Sequence, residues 1–117
     1  MSNKGWIGVD LDGTLAEYYG WVSETHIGPP IPKMVDRVKK WVEEGQKVKI
    51  MTARAYPARS GKTDVKEVIK NIENWCLEHV GTKLEVTYEK DYNMIELWDD
   101  RAIQVIPNTG VRADGKS

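Results

Sequence analysis

The sequence predicts an α/β domain with a mostly parallel sheet, and two observations favour this class. Short apolar runs alternate along the chain with segments whose apolar residues recur at helical spacing. Glycine or proline lies near the ends of most of these segments, where helices and strands commonly stop. Alternating strands and helices are typical of a parallel sheet with helices on both faces, so we expect a single three-layer, Rossmann-like domain.

Five strands are predicted for this sheet. The first is a short apolar run that ends in an acidic residue, and Val48 and Ile50 alternate with polar residues in the second. The predicted strands cover residues 6–10, 47–51, 84–89, 95–98 and 102–106.

Two helices are predicted between the strands. The first has Pro32 in its first turn and stops at Gly45. The second is capped by Thr63 and ends at Gly81. Residues 17–32 precede the first helix and are interpreted as a short irregular flap, too small to be a cap domain.

Length and composition restrict the class of protein. The chain has 117 residues, 40% of them hydrophobic, and a net charge of −1, which predicts one domain and argues against a general polyanion binder. The core is expected over residues 5–107, and the polar tail 108–117 is expected to fray. One cysteine fits a reducing cytoplasm, and no apolar run is long enough to span a membrane. The composition leaves both a monomer and an oligomer open.

Polar side chains follow four of the predicted strands at their carboxyl ends. In chain order they are Asp10, Thr52, Lys90, and the pair Asp99 and Asp100. Ligands of an open parallel sheet bind at this edge. Clustered carboxylates either take up protons or bind a cation, and Mg²⁺ suits an oxygen site that it shares with a substrate phosphate. The sequence therefore predicts a magnesium site that handles a phosphate ester.

The acidic pair Asp10 and Asp12 suits phosphoryl transfer. One carboxylate can attack phosphorus, while the other protonates the leaving oxygen and later deprotonates water. Gly13 follows the pair directly and makes a turn out of the strand inexpensive at this point. Thr52 and Lys90 then supply a hydrogen-bond donor and a positive charge for the phosphate oxygens.

Four segments resemble, in order, the four motifs of the haloacid dehalogenase superfamily of phosphatases. They are "DLDGT" at 10–14, "IMTAR" at 50–54, Lys90, and "WDDR" at 98–101. The resemblance implies a capless hydrolase with Asp10 as the nucleophile and Asp12 as the general acid and base. It implies that Thr52 and Lys90 bind the phosphoryl group, with Lys83 as the alternative lysine.

The same resemblance assigns the remaining site residues. The implied magnesium ligands are Asp10, Asp12 through its backbone carbonyl, and Asp99 alone or together with Asp100. The implied substrate contacts are Gly13, Thr14, Ala53 and Arg54.

The motifs are also similar to those of the 3′-phosphatase domain of polynucleotide kinase-phosphatases. This similarity implies a nucleotide or a polynucleotide 3′-phosphate end as one option for the substrate. Arg54, Arg59 and Lys62 then contact a phosphate backbone. One of Tyr18, Tyr19 and Trp21 stacks on a base.

Two other classes of protein remain open. A receiver-type phosphoacceptor domain gathers similar residues on such a sheet, but its acceptor aspartate ends the third strand, near the position of Lys90 here. An interaction module that binds Mg²⁺ without turnover carries the same groups as the enzyme. A turnover assay distinguishes this module from a phosphatase.

Overall fold

The computed structural model describes residues 5–57 and 64–116 and has an α/β architecture. Its strands are β1 (Trp6–Val9), β2 (Lys47–Met51), β3 (Glu85–Thr87) and β4 (Met94–Trp98). They form one parallel sheet in the order β3-β2-β1-β4. Helix α1 (Pro32–Glu43) joins β1 to β2, and helix α2 (Val65–His79) lies between β2 and β3. The α/β class and the parallel sheet are confirmed, and the described residues contain no cap domain.

Both helices pack on the same face of the sheet, so the expectation of helices on both faces is wrong for the described residues. Ile7 and Val9 share one buried core with residues of both helices. Because neighbouring strand residues point to opposite faces, Trp6 and Gly8 belong to the other face. Six residues, 88–93, connect β3 to β4, too few for the crossover helix that a third layer requires.

The helix ends follow local backbone chemistry. Pro32 is the first residue of α1, and Gly45, two residues beyond the helix, has a φ of 83°. Asp64 caps α2 by accepting a hydrogen bond from the Lys66 N–H at 2.9 Å. Thr63, the predicted cap, lies outside the described residues. Neither helix is long and apolar enough to cross a membrane.

The predicted fifth strand does not form, because residues 102–106 pair with no strand in the described part of the chain. Within this segment, Val105 forms an isolated antiparallel bridge with Arg112. The Ile106 N–H donates a hydrogen bond to the Val111 carbonyl beside it, at 2.8 Å. Ile103 and Val105 remain exposed. The alternating apolar residues of this segment are typical of a strand, but a strand joins a sheet only where its backbone pairs with a neighbour.

The flap (residues 17–32) is closed at its base and tied to α2. Its base is an antiparallel bridge between Ala16 and Pro30. Asn71 donates to the Thr25 carbonyl at 2.7 Å, and Trp75 donates through its indole N–H to the Gly28 carbonyl at 3.2 Å. These contacts close the base of the flap and attach its second half to α2.

Candidate functional site

Three aspartates meet at the carboxyl edge because β1 and β4 are neighbours in the sheet. Val9 pairs with Trp98, and the Asp10 N–H donates to the Trp98 carbonyl at 2.8 Å. Asp99 and Asp100 therefore follow β4 beside Asp10. One carboxylate oxygen from each of the three lies within 4.8 Å of the others, close enough to hold a metal ion.

The surroundings of Asp10 oppose its negative charge. Burial is the largest cause, followed by the charge of Asp99 and by the hydrogen bond and charge of Asp100, and together they raise the pKa of Asp10 from 3.8 to about 8. A divalent cation would offset this repulsion. Three carboxylate oxygens form the hard donor set that Mg²⁺ and similar ions prefer, so the residues present fit such an ion.

Gly13 and Thr14 hold Asp100 in this cluster. The Thr14 hydroxyl donates to Asp100 Oδ1 at 3.3 Å and accepts from the Asp100 N–H at 3.0 Å. Gly13 has a φ of 90°, and a Cβ added there would lie 2.6 Å from Asp100 Oδ2. The sequence interpretation assigned these two residues to the substrate. In the structure, Thr14 binds Asp100, and Gly13 leaves the space that the Asp100 carboxylate occupies.

The side chain of Asp12 is not part of the carboxylate cluster, because Arg54 binds it. Arg54 Nε donates to Asp12 Oδ2 at 2.7 Å, and Nη2 donates to Oδ1 at 3.0 Å. Arg54 Nη1 donates to the carbonyls of Ser23 and Glu24 at 3.2 and 3.0 Å, and its guanidinium lies 4.9 Å from the Trp21 ring. Arg54 thus joins Asp12 to the middle of the flap.

This link was missed by sequence reasoning, which assigned Arg54 to the substrate. Arg54 and Asp12 are 42 residues apart, and no local pattern connects them. The side chain of Arg54 is only 4% exposed, and its donors point at the protein. We therefore regard it as a positioning residue.

Thr52 lies where the sequence placed it, directly after β2 at the carboxyl edge. Its side chain is buried, and its hydroxyl oxygen accepts the Arg54 N–H at 3.2 Å. None of the described residues accepts the hydroxyl proton, which is therefore available to donate to a ligand in the cavity. Thr52 and Ala53 line the same cavity as Asp10 and Asp12.

That cavity has a volume of about 640 Å³ and an aromatic rim. Tyr18, Trp21 and Tyr88 line it. Tyr56 supports Tyr88 through an edge-to-face contact with ring centroids 5.4 Å apart. Tyr19 was predicted as a stacking residue, but it does not line the cavity and instead donates to Glu17 at 2.7 Å.

The basic residues that the sequence predicted for the site do not all gather at the cavity. Lys83 precedes β3 and so lies towards the amino edge of the sheet, away from Asp10. Lys90 is exposed in the connection 88–93 and does not line the cavity, whereas Arg101 does. Arg59 and Lys62, predicted as backbone contacts, lie outside the described residues.

Comparisons with known proteins support the fold alone. No family model matches the chain. No curated protein matches it either. A solved structure of a conserved protein coded by a locus of Bacteroides thetaiotaomicron is similar, with a TM-score of 0.54 and 23% sequence identity. The similarity covers 91% of this chain and 84% of that one, so it extends over nearly the whole α/β domain.

Proposed function

We propose that this protein is a Mg²⁺-dependent phosphomonoesterase of the haloacid dehalogenase type that forms an aspartyl-phosphate on Asp10. One observation carries the proposal. The carboxylates of Asp10, Asp99 and Asp100 lie close enough together to hold a metal ion. These three residues line one cavity together with Asp12 and Thr52. A proton-transfer group, a phosphate-binding hydroxyl and a candidate nucleophile therefore surround one space.

The metal-binding part of the proposal rests on the carboxylates. Asp10, Asp99 and Asp100 would hold Mg²⁺ through their side chains, with the backbone carbonyl of Asp12 as a further ligand. An ion held there would supply positive charge that favours the ionised form of Asp10 and offsets the charge of a phosphoryl group. Thr14 and Gly13 keep the Asp100 carboxylate beside Asp10.

The first step transfers the phosphoryl group to the protein. An Asp10 carboxylate oxygen attacks phosphorus, and the bond between phosphorus and the ester oxygen breaks. Asp12, in its acid form, gives its proton to that departing oxygen. The Thr52 hydroxyl donates to a non-bridging phosphoryl oxygen, where negative charge is stabilised.

The second step releases phosphate and restores the site. Asp12, now a carboxylate, removes a proton from water, and the water oxygen attacks phosphorus. The bond between phosphorus and Asp10 breaks, so Asp10 returns as a carboxylate and Asp12 is again protonated. Arg54 contributes by orienting the Asp12 carboxyl group, whose two oxygens it contacts in the structure.

The rim of the cavity favours a substrate that carries a flat ring. Tyr18, Trp21 and Tyr88 offer aromatic faces around a site that is rich in carboxylates. A nucleobase stacks on such rings whatever its sequence context. We therefore propose nucleotide phosphates or the 3′-phosphate end of a polynucleotide as candidate substrates.

The test is phosphate release in the presence of Mg²⁺. The panel comprises an aryl phosphate, glycerol phosphate, nucleoside 3′- and 5′-monophosphates, and a 3′-phosphorylated oligonucleotide. We expect release from the aryl phosphate and the nucleotides, its loss in EDTA, and its return with added Mg²⁺. The reason is that a cation would offset the burial and the neighbouring carboxylates that raise the pKa of Asp10. Asp10→Asn provides the blank.

A matched pair of tyrosines tests the aromatic rim in the same panel. Tyr88→Leu should reduce release from nucleotides relative to glycerol phosphate, whereas Tyr92→Leu should not, because Tyr92 is fully exposed outside the cavity. Equal effects of both variants would argue against base stacking. No release from any ester, with Mg²⁺ still bound, would support a non-catalytic interaction module instead.

A further inference from the structure

We propose that the guanidinium of Arg101 binds the non-bridging phosphoryl oxygens of the substrate, the role for which the sequence suggested Lys90. This inference rests on the proposed function, since it names a ligand for the same phosphoryl group. A phosphoryl group carries negative charge on several oxygens, so a cationic side chain is needed in addition to the metal ion that the carboxylates would hold.

The cations around the cavity point to Arg101. Among the described residues, the basic side chains that line it are Arg54 and Arg101. Arg54 directs its donors to Asp12 and to the carbonyls of Ser23 and Glu24. The side chain of Arg101 is exposed and makes no hydrogen bond or ion pair with a described residue.

Arg101 is nevertheless fixed at its base. Its backbone N–H donates to Asp99 Oδ1 at 2.8 Å, which closes a short turn directly after the carboxylate pair. The root of the side chain is therefore held next to the carboxylate cluster, and the long side chain retains its freedom to reach into the cavity. This arrangement allows the guanidinium to form its contacts when an anion arrives.

The path of the chain after β3 leads Lys90 away from the cavity that Arg101 lines. The connection 88–93 leaves β3 at the carboxyl edge, and by Asp91 it already lies against β1, where Asp91 Oδ1 accepts a hydrogen bond from the Trp6 indole at 2.8 Å. Lys49, on β2, lies 3.8 Å from the other Asp91 oxygen. Lys90 therefore lies on a segment held against the face of the sheet without helices.

The sheet order places Arg101 opposite Thr52. β1 lies between β2, which ends before Thr52, and β4, which leads into Arg101. Neighbouring strands are about 4.8 Å apart, so the two side chains approach a phosphoryl group on Asp10 from opposite sides. The guanidinium fork can bind two phosphoryl oxygens at once, whereas a lysine acts as a single charge.

The experiment measures KM for an aryl phosphate and Ki for inorganic phosphate, both with Mg²⁺. Arg101→Ala should raise both constants by at least about tenfold, since a charged bidentate contact is lost. Arg101→Lys should fall between Ala and wild type, because it keeps the charge and loses the fork. Arg112→Ala is the matched control and should match wild type, because Arg112 pairs with Asp114 outside this cavity.

Lys90→Ala provides the competing comparison. It should change Ki for phosphate less than Arg101→Ala does. A larger effect of Lys90→Ala, or an Arg101→Ala variant within twofold of wild type, would overturn the assignment.

Phosphate binding without turnover separates this inference from the proposed function. Inorganic phosphate should raise the Tm of the Mg²⁺-loaded wild type, and Arg101→Ala should lose that shift. If no ester is hydrolysed and the shift still depends on Arg101, the proposed function fails and this inference stands. An equal shift in both proteins, or none in wild type, overturns the inference.

Discussion

Replacing Asp10 with asparagine is expected to abolish turnover and, at the same time, to stabilise the metal-free protein. Loss of the nucleophile should lower kcat by at least about 10⁴-fold. The stabilisation follows from electrostatics, because burial and the neighbouring Asp99 and Asp100 raise the pKa of Asp10 to about 8 in the folded protein. The neutral amide removes a charge that this site resists.

The sign of the pH dependence follows from that shift. As pH rises from the ordinary value of 3.8 to about 8, the unfolded chain releases the Asp10 proton while the folded protein keeps it, so folding stability falls over this window. At pH 8 in EDTA, Asp10→Asn should therefore raise the free energy of unfolding by roughly 1–3 kcal/mol, after allowance for partial exposure of the carboxyl.

Denaturant unfolding at pH 4 and pH 8 measures this difference. The gap between wild type and Asp10→Asn should be small at pH 4 and largest at pH 8. Asp36→Asn, an exposed site on α1, is the matched control and should show no comparable gain. A less stable Asp10→Asn protein at pH 8 would contradict the electrostatic description of the site.

Replacing Arg54 with alanine is expected to lower both kcat and folding stability, although Arg54 does not touch the reacting atoms. Asp12 loses both hydrogen bonds that fix its carboxylate, so kcat should fall by about 10²-fold through misplacement of the proton donor. The flap carbonyls of Ser23 and Glu24 lose their donor as well. Breaking this largely buried pair should cost about 2–4 kcal/mol of stability.

Separate measurements distinguish these two consequences. Steady-state kinetics reports the orientation of Asp12 as a fall in kcat with a smaller change in KM. The rate of limited proteolysis within residues 18–26 reports release of the flap. Arg54→Lys keeps the charge but cannot hold both Asp12 oxygens, so its kcat should remain well below that of wild type. Wild-type kcat in Arg54→Ala would contradict the positioning role.

The sequence was sufficient for those features that depend on local pattern. Apolar runs and helical spacing predicted four of the strands and both helices, and the observed bounds differ from the predicted ones by only a few residues. The strand-end rule placed Asp10, Asp99 and Asp100 at one edge, because parallel neighbours bring their carboxyl ends together whatever their separation in the chain.

Features that depend on contacts between residues far apart in the chain could not be predicted from local pattern. Within residues 5–57 and 64–116, the segment 102–106 pairs with no strand of the sheet, and the short connection 88–93 provides no helix for its second face. The same connection removes Lys90 from the cavity that Arg101 lines. The contact between Asp12 and Arg54 depends on the packing of the flap, which no local pattern reports.

The proposed mechanism requires that Asp10 become phosphorylated, and trapping the aspartyl-phosphate is the direct test of it. In Asp12→Asn, an aryl phosphate needs little help from a general acid because its leaving group is good, whereas hydrolysis of the aspartyl-phosphate lacks its base. Acid quenching followed by mass spectrometry should therefore find one added phosphoryl group on the peptide that contains Asp10. The double variant with Asp10→Asn should carry none. The proposed mechanism would be wrong if the wild type releases phosphate while Asp10 stays unmodified in rapidly quenched Asp12→Asn. It would also be wrong if the phosphoryl group is found on another residue.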